Sequence, residues 1–357
     1  MTVPSLPGPA IPNSLSHPLP MSSLRKFFAR LIAAALFAVA LVIPQRVAAA
    51  PLKIAYSDWP GWVAWEIALH EGWLKAAGVD VEFVWSEYGP SMEAFAAGKV
   101  DGIMIANGDA LVTGANGAKN VIILLTDYSN GNDMIVARPG VKSVSELKGK
   151  KIGLEVGTVE HLLLIHALTR VGLSESDVTI IDTPTSQTPA LFATGKVDAI
   201  GAWQPVAGQA IKAVSGAHSV HTTADEPGLI YDTLAVTPQS LAERRADWIK
   251  VISVWDKIVR AIRDPATRKS AVAIMAARSG SPAADYIGFI DGTCFLTLQE
   301  GVKKMNAKGG AGFGSLKISG LVANDFNLKN RVYKVSQDVN ASFDSTLAAE
   351  VLAVAKP

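Results

Sequence analysis

Two nine-residue stretches of this chain are nearly identical. Residues 95–103 read FAAGKVDGI and residues 192–200 read FATGKVDAI, and Phe95 and Phe192 are 97 positions apart. A looser echo, LKIAY at residues 52–56 and KKIGL at residues 150–154, has nearly the same offset. That period is too long for a solenoid. It points to two lobes on one plan, in which a strand, loop and helix open each lobe and a helix ending in Gly-Lys leads to a strand beginning Val-Asp. Between the echoes, apolar runs with a period of two alternate with runs at helical spacing. GWVAWEIALHEGWLKAAG is expected to be a helix capped by Gly78, SMEAFAAG a helix with Ser91 as N-cap, and VDVEFVW, VDGIMIA and VIILLTD are expected to be strands. Strands separated by helices predict a parallel-rich sheet and an α/β fold.

Boundaries follow from the breakers. Pro139 and Gly140, before SVSEL, mark the second lobe, with SVSEL read as a capped helix start. LIYDTLAVTP, stopped by proline, marks its end. The expected division is 1–50 as N-terminal extension and signal peptide, 51–135 as the first part of lobe 1, 136–235 as lobe 2, and 236–357 as a helical return to lobe 1. Residues 127–138 and 229–238 would be the two crossing segments. Near the N-terminus, Arg25, Lys26 and Arg30 precede an apolar run over residues 31–43 and small residues at 48–50. This is the pattern of a secretory signal. Met21 is a candidate start, and export without a lipid anchor is expected because no cysteine stands at the cleavage site.

Composition excludes several classes. The chain is 49% hydrophobic and 18% charged, with a net charge of +1. It therefore has material for an ample core and no strong attraction to nucleic acid. The one cysteine, Cys294, rules out an internal disulfide and an all-cysteine metal cluster, and is read as a small core residue. No G-x-x-x-x-G-K-[ST], H-E-x-x-H or G-x-S-x-G pattern occurs, and GGAGFGS at residues 309–315 reads as a loop.

KIAYSDWPGW, GKVDGI, SVSELKGKKIGLEVGT and GKVDAIGAWQP, with the leader and the post-crossover helix, resemble the periplasmic substrate-binding proteins of the nitrate/sulfonate/taurine class of ABC importers over residues 52 to about 339. The resemblance implies an α/β, two-lobed type II periplasmic-binding fold that closes on a small molecule and delivers it to a permease driven by a separate ATPase. A monomer without cofactor or metal, with no catalysis and a periplasmic location, is expected.

In open α/β sheets, ligands bind beyond the carboxyl ends of the strands. The loops at those ends lack Arg and Lys and carry acids instead: Asp58, Glu87, Asp109, Asp127, Asp133, Glu155, Glu160 and Asp232. An anion wants cations or convergent N–H groups, whereas acids beside aromatic rings suit a cation. YSDWPGWVAWEIA, NGDALVTGA, DYSNGNDMIV, GLIYDTLAV and AWQP look most like a urea-carboxylase-linked subgroup of the class, which implies guanidine as ligand. The expected ligand residues are Asp58, Trp59, Trp62, Glu87, Asn107, Asp109, Asp127, Glu155, Trp203, Gln204 and Asp232. Each also has a plain structural reading. Asp58 and Asp109 would serve as helix N-caps, Trp62 as core and residues 130–133 as a turn; Trp65, Asp101 and Asp198 are assigned to structure. Two alternatives stand beside this reading. One is a binder of nitrate, sulfonate, taurine or bicarbonate. The other is an enzyme like the thiamine-pyrimidine-precursor synthases, which the leader and single cysteine oppose. A sensor subunit feeding a signalling partner is a third.

Overall fold

The computed structural model describes Met1, Gly8, residues 50–309 and residues 312–354. The expected leader, residues 21–49, lies outside the described residues. The fold is carried by the compact unit that begins at Pro51.

The chain opens with β1 (Leu52–Tyr56), followed by α1 (Pro60–Val63), α2 (Trp65–His70), α3 (Trp73–Ala76), β2 (Val81–Trp85), α4 (Tyr88–Ala96), β3 (Gly102–Ala106), α5 (Asn107–Ala115) and β4 (Val121–Ser129). It continues with β5 (Asp133–Ala137), β6 (Lys151–Leu154), α6 (Val159–Arg170), β7 (Thr179–Asp182), α7 (Thr188–Ala193), β8 (Ala199–Trp203), α8 (Val206–Ala213) and β9 (His218–Thr222). The return comprises β10 (Tyr231–Val236), α9 (Pro238–Arg263), α10 (Pro265–Ser279), α11 (Ala283–Asp291), β11 (Thr293–Phe295), α12 (Leu298–Asn306), α13 (Leu316–Lys329) and α14 (Thr346–Val354).

Two mixed sheets result, in the orders β11-β4-β10-β3-β1-β2 and β7-β6-β8-β5-β9. In the first, β1 lies between β2 and β3 and parallel to both, and β10 enters antiparallel beside β3. In the second, β6 lies parallel to β7 and β8, and β5 enters antiparallel beside β8. Each sheet thus receives, next to its third strand, the strand that arrives from the other sheet.

The sequence echo has a physical cause in this plan. The Lys53 amide donates to the Asp101 carboxylate at 2.9 Å and the Asp101 amide donates to the Lys53 carbonyl at 2.8 Å. In the second sheet the Lys151 amide donates to Asp198 at 2.9 Å, and the Asp198 amide to the Lys151 carbonyl at 2.8 Å. In both lobes the Asp of Val-Asp clamps the start of the opening strand, β1 or β6, to the strand that follows Val-Asp, β3 or β8.

Local expectations needed correction. The helix expected from Gly61 to Gly78 is three short ones, and Gly72, with a left-handed φ of 68°, separates the second from the third. Gly78 is left-handed as well, with φ of 76°, and its amide closes on the Lys75 carbonyl. Ser91 lies inside α4, where its hydroxyl donates to the Tyr88 carbonyl, and Glu87 is the N-cap residue. SVSEL forms only a 3₁₀ turn, Val144–Leu147, with no side-chain cap. The return, expected to lack strands, contributes β11 to the edge of the first sheet, and Cys294 within it is half-buried rather than core. Trp65 is fully buried, with its ring centroid 5.5 Å from Phe83 and 5.2 Å from Trp255, so the return helix α9 completes the core under α2.

Candidate functional site

Strand register brings the acids together. Asp232 at the start of β10 stands opposite Ala106 at the end of β3 and opposite Asp127 near the end of β4. Asp133 at the start of β5 stands opposite Trp203 at the end of β8. Glu160, in the first turn of α6, lies within hydrogen-bonding reach of Asp133, and Asp127 within reach of Asp232. Asp109, in the first turn of α5, completes a group of five buried carboxyls. The Asp109 carboxyl accepts from the Tyr88 hydroxyl at 2.7 Å, and the Val159 amide at the start of α6 opposes it from the second sheet's side. Asp127 Oδ1 accepts from Trp59 Nε1 at 2.9 Å. Asp127 Oδ2, Asp133 Oδ2, Asp232 Oδ2 and both Glu160 oxygens have no donor.

A carboxylate taken out of water without a partner costs several kcal/mol, so such groups hold their protons. Burial, the dominant cause throughout, pushes Asp109 and Asp127 up to about 7 and Asp133 to about 6. Glu160 and Asp232 rise well above the ordinary range, burial being reinforced by the neighbouring acids. Among the described residues, none of these five carboxyls is in an ion pair with a Lys, Arg or His.

Four rings wall the space these acids face. Trp59 and Trp62 lie 6.5 Å apart, Trp62 and Tyr88 5.1 Å, and Tyr88 meets Trp203 edge-on at 5.5 Å. With Asp133, Asp232, Ala106, Val159 and Ile230 they enclose a cavity of about 10 Å³, room for about one water. Tyr88 and Trp203 separate it from an outer cleft of about 300 Å³, whose acids are Asp58, Glu87, Glu93 and Glu155. Across this boundary Trp203 Nε1 donates to Asp58 Oδ1 at 3.0 Å. Burial, with a further push from Glu87, raises Asp58 to about 6 despite that bond. A larger groove of about 450 Å³ between α6 and α13 is mainly apolar and has no comparable convergence of polar groups.

The expected site residues divide accordingly. Trp59, Trp62, Trp203 and Asp232 line the inner cavity, and Asp127 and Asp109 back it. Asp58, Glu87 and Glu155 line the outer cleft, where Glu155 accepts from the Thr185 amide and hydroxyl, both at 3.1 Å. Asn107 and Gln204 line neither. The Asn107 amide ties Ser319 (2.8 Å) to the Tyr231 backbone (3.1 Å), and Gln204 Oε1 turns back on the Gly208 amide at 3.0 Å. The capping roles considered for Asp58 and Asp109 are not found either, since Trp59 and Ala106 are the N-cap residues and neither helix has a side-chain cap. Asp133 and Glu160, named among the strand-end acids but not among the expected ligand residues, and Tyr88, not singled out at all, also belong to this group. Asp133 sits in what reads as a turn, Glu160 looks like an ordinary acid in a first helical turn, and the sequence around Tyr88 offers no signal beyond an aromatic beside Glu87.

The chain belongs to the family described as NMT1/THI5 like, which matches residues 61–261, more than half of its length. A provisionally named binding protein of Brucella abortus (strain 2308) is 33% identical over 168 residues, 46% of this chain and 52% of the relative. The match thus spans about half the length of that relative. A provisionally named aliphatic sulfonates-binding protein of Escherichia coli (strain K12) is 28% identical over 255 residues, 67% of this chain and 75% of the relative. Among solved structures, the alkanesulfonate-binding protein SsuA of Xanthomonas axonopodis pv. citri, bound to MOPS, superimposes with a TM-score of 0.67. It is 18% identical, with 83% of this chain and 98% of that chain covered. The fold is therefore that of the periplasmic binding proteins, with two α/β sheets.

Proposed function

We propose that this chain is the solute-binding component of an ABC importer. It captures a small cation rich in N–H donors, guanidinium being the simplest, between its two lobes and hands it to a membrane permease powered by a separate ATPase. It acts in the periplasm, as a monomer, without catalysis or cofactor. One observation carries the ligand reading: five buried carboxyls converge, none of them in an ion pair among the described residues, and four of them keep oxygens without a donor. A planar cation offers N–H groups around its edge for Asp133 and Asp232 and a face for the indoles. Two charge-assisted bonds of about 1.5–3 kcal/mol each, with ring contact, approach the roughly 8 kcal/mol of micromolar binding. Among the described residues, no helix is long and apolar enough to cross a membrane.

A small anion is the second reading, favoured by the sulfonate-binding names of relatives. The site's chemistry opposes it, because the amide at the start of α6 already faces the protein's own Asp109. A thermal-shift panel of guanidinium, urea, agmatine, taurine, nitrate and bicarbonate separates the two. A ligand at a hundredfold excess over Kd stabilises by about 2.7 kcal/mol. Stabilisation by taurine or nitrate and none by guanidinium overturns the cation reading.

A further inference from the structure

The inner site has more acids than one small cation can neutralise. Two of them, Asp127 and Asp232, face each other across adjacent strands, and two more, Asp133 and Glu160, join β5 to α6. Asp133 and Asp232 are both 2% exposed, line the cavity and have an oxygen without a donor. The groups that face these pairs include Asp109 on α5, Ser129 and Thr126 on β4, Trp59 at the N-cap of α1, Tyr88 on α4, Trp203 on β8 and Glu155 after β6, all acids or neutral groups. Two carboxyls in contact in a water-poor space do not both ionise. With no base to share the charge, each pair keeps a proton between its oxygens while the cavity is empty.

We infer that ligand capture here is an exchange, in which the lobes open and reclose on a small monocation among these carboxyls as a proton leaves the carboxyl pairs for solvent. This rests on the cation reading above. The step balances: one carboxyl O–H bond breaks, its proton passes to water or buffer, and an N–H of the cation takes the vacated place against the carboxylate. Site charge is the same before and after. Capture by exchange makes affinity a function of pH. Below neutrality the proton competes with the cation, and apparent affinity falls about tenfold for each pH unit over the range in which one proton is released. The raised values for Asp127 and Asp133, about 7 and about 6, place that range just below neutral pH.

Two measurements test this. The first needs no ligand: the infrared difference spectrum of the empty protein at pH 7 is expected to show the carbonyl stretch of protonated carboxyls, diminished in Asp232→Asn and in Glu160→Gln. The second is calorimetric titration with guanidinium chloride at pH 6.5 in two buffers of different ionisation enthalpy, which counts protons released. About one proton per cation is expected. No protonated-carboxyl band in the empty protein overturns the exchange, as does guanidinium binding with no proton released; in both cases the cation reading itself stands. A clear band together with no binding of guanidinium or agmatine sinks the cation reading, and the exchange falls with it.

Discussion

Replacing Asp127 with Asn is expected to stabilise the ligand-free protein at alkaline pH while weakening its ligand binding. Asp127 is fully buried, and burial, the largest cause, lifts its carboxyl from 3.8 to about 7 against the opposing bond from Trp59. In the unfolded chain the group ionises near pH 4; in the folded chain it does so only near pH 7. Between those values the folded state holds the extra proton, so stability is full below about pH 4 and is lost as pH rises through about 7. At 1.36 kcal/mol for each pH unit the loss has a ceiling of about 4 kcal/mol at pH 8. Asn cannot ionise and escapes it. Its carbonyl can still accept from Trp59, and its amide can donate toward Asp232. At about 2 °C per kcal/mol for a chain of this size, the variant should melt up to about 8 °C above the wild type at pH 8 and level with it near pH 4. Circular-dichroism melts at the two pH values give the comparison. A variant destabilised equally at both would show that the Asp127 charge is compensated and that the burial argument is wrong. Guanidinium affinity should fall by about 1.5–3 kcal/mol, the scale of one charge-assisted bond, a trade of function against stability expected at a strained site.

Gly61→Ala tests the same carboxyl from the other side. A Cβ at Gly61 would lie 2.1 Å from Asp127 Oδ2, so Asp127 must leave Trp59, at a cost of about 1–3 kcal/mol of stability and at least about tenfold in affinity; calorimetry returning wild-type affinity would refute the placement. Asp101→Asn loses part of the clamp on Lys53 and should cost about 1 kcal/mol of stability. It should leave ligand affinity unchanged, so a binding loss there would move the site away from the strand ends opposite.

The lobe plan was legible because it is written twice, and the reason it is written twice is the Asp101 and Asp198 clamp. The chemistry of the site was legible as a type, acids and rings without bases, because strand ends collect on one side of a sheet. Which acids meet was not. That depends on register across strands far apart in sequence: Asp232 reaches Asp127 only because β10 returns between β3 and β4. Asn107 illustrates the opposite error. It stands in the right loop, yet its amide is consumed by Ser319, 212 positions away, a contact that no local pattern encodes. Gln204 fails for a local reason, since a Gln just before a helix can fold back on an amide four residues on, and this one does.

The lobes hold together in this structure through some of the acids of the candidate site. Asp58 of the first lobe takes the Trp203 indole N–H of the second, Asp109 faces the Val159 amide, and Glu155 comes close enough to Gly89 that a Cβ there would stand 3.1 Å from its carboxylate. Away from that cleft, Lys212 of α8 pairs with Asp285 of α11 at 2.5 Å. A cavity with room for about one water neither admits nor holds guanidinium as the walls stand, so on the cation reading the lobes must open and reclose around the ligand with the walls further apart. Entry requires the Tyr88–Trp203 boundary to part, and parting it breaks the Asp58–Trp203 bond. That bond is neutral when Asp58 is protonated and charge-assisted when it is not, and charge-assisted bonds are roughly twice as strong. Deprotonation therefore strengthens the latch in the same pH range, near 6 to 7, in which Asp127 and Asp133 lose their protons, while Asp232 and Glu160, raised well above the ordinary range, keep theirs. On the cation reading, closure and cation affinity are expected to rise together with pH and to weaken together on acidification.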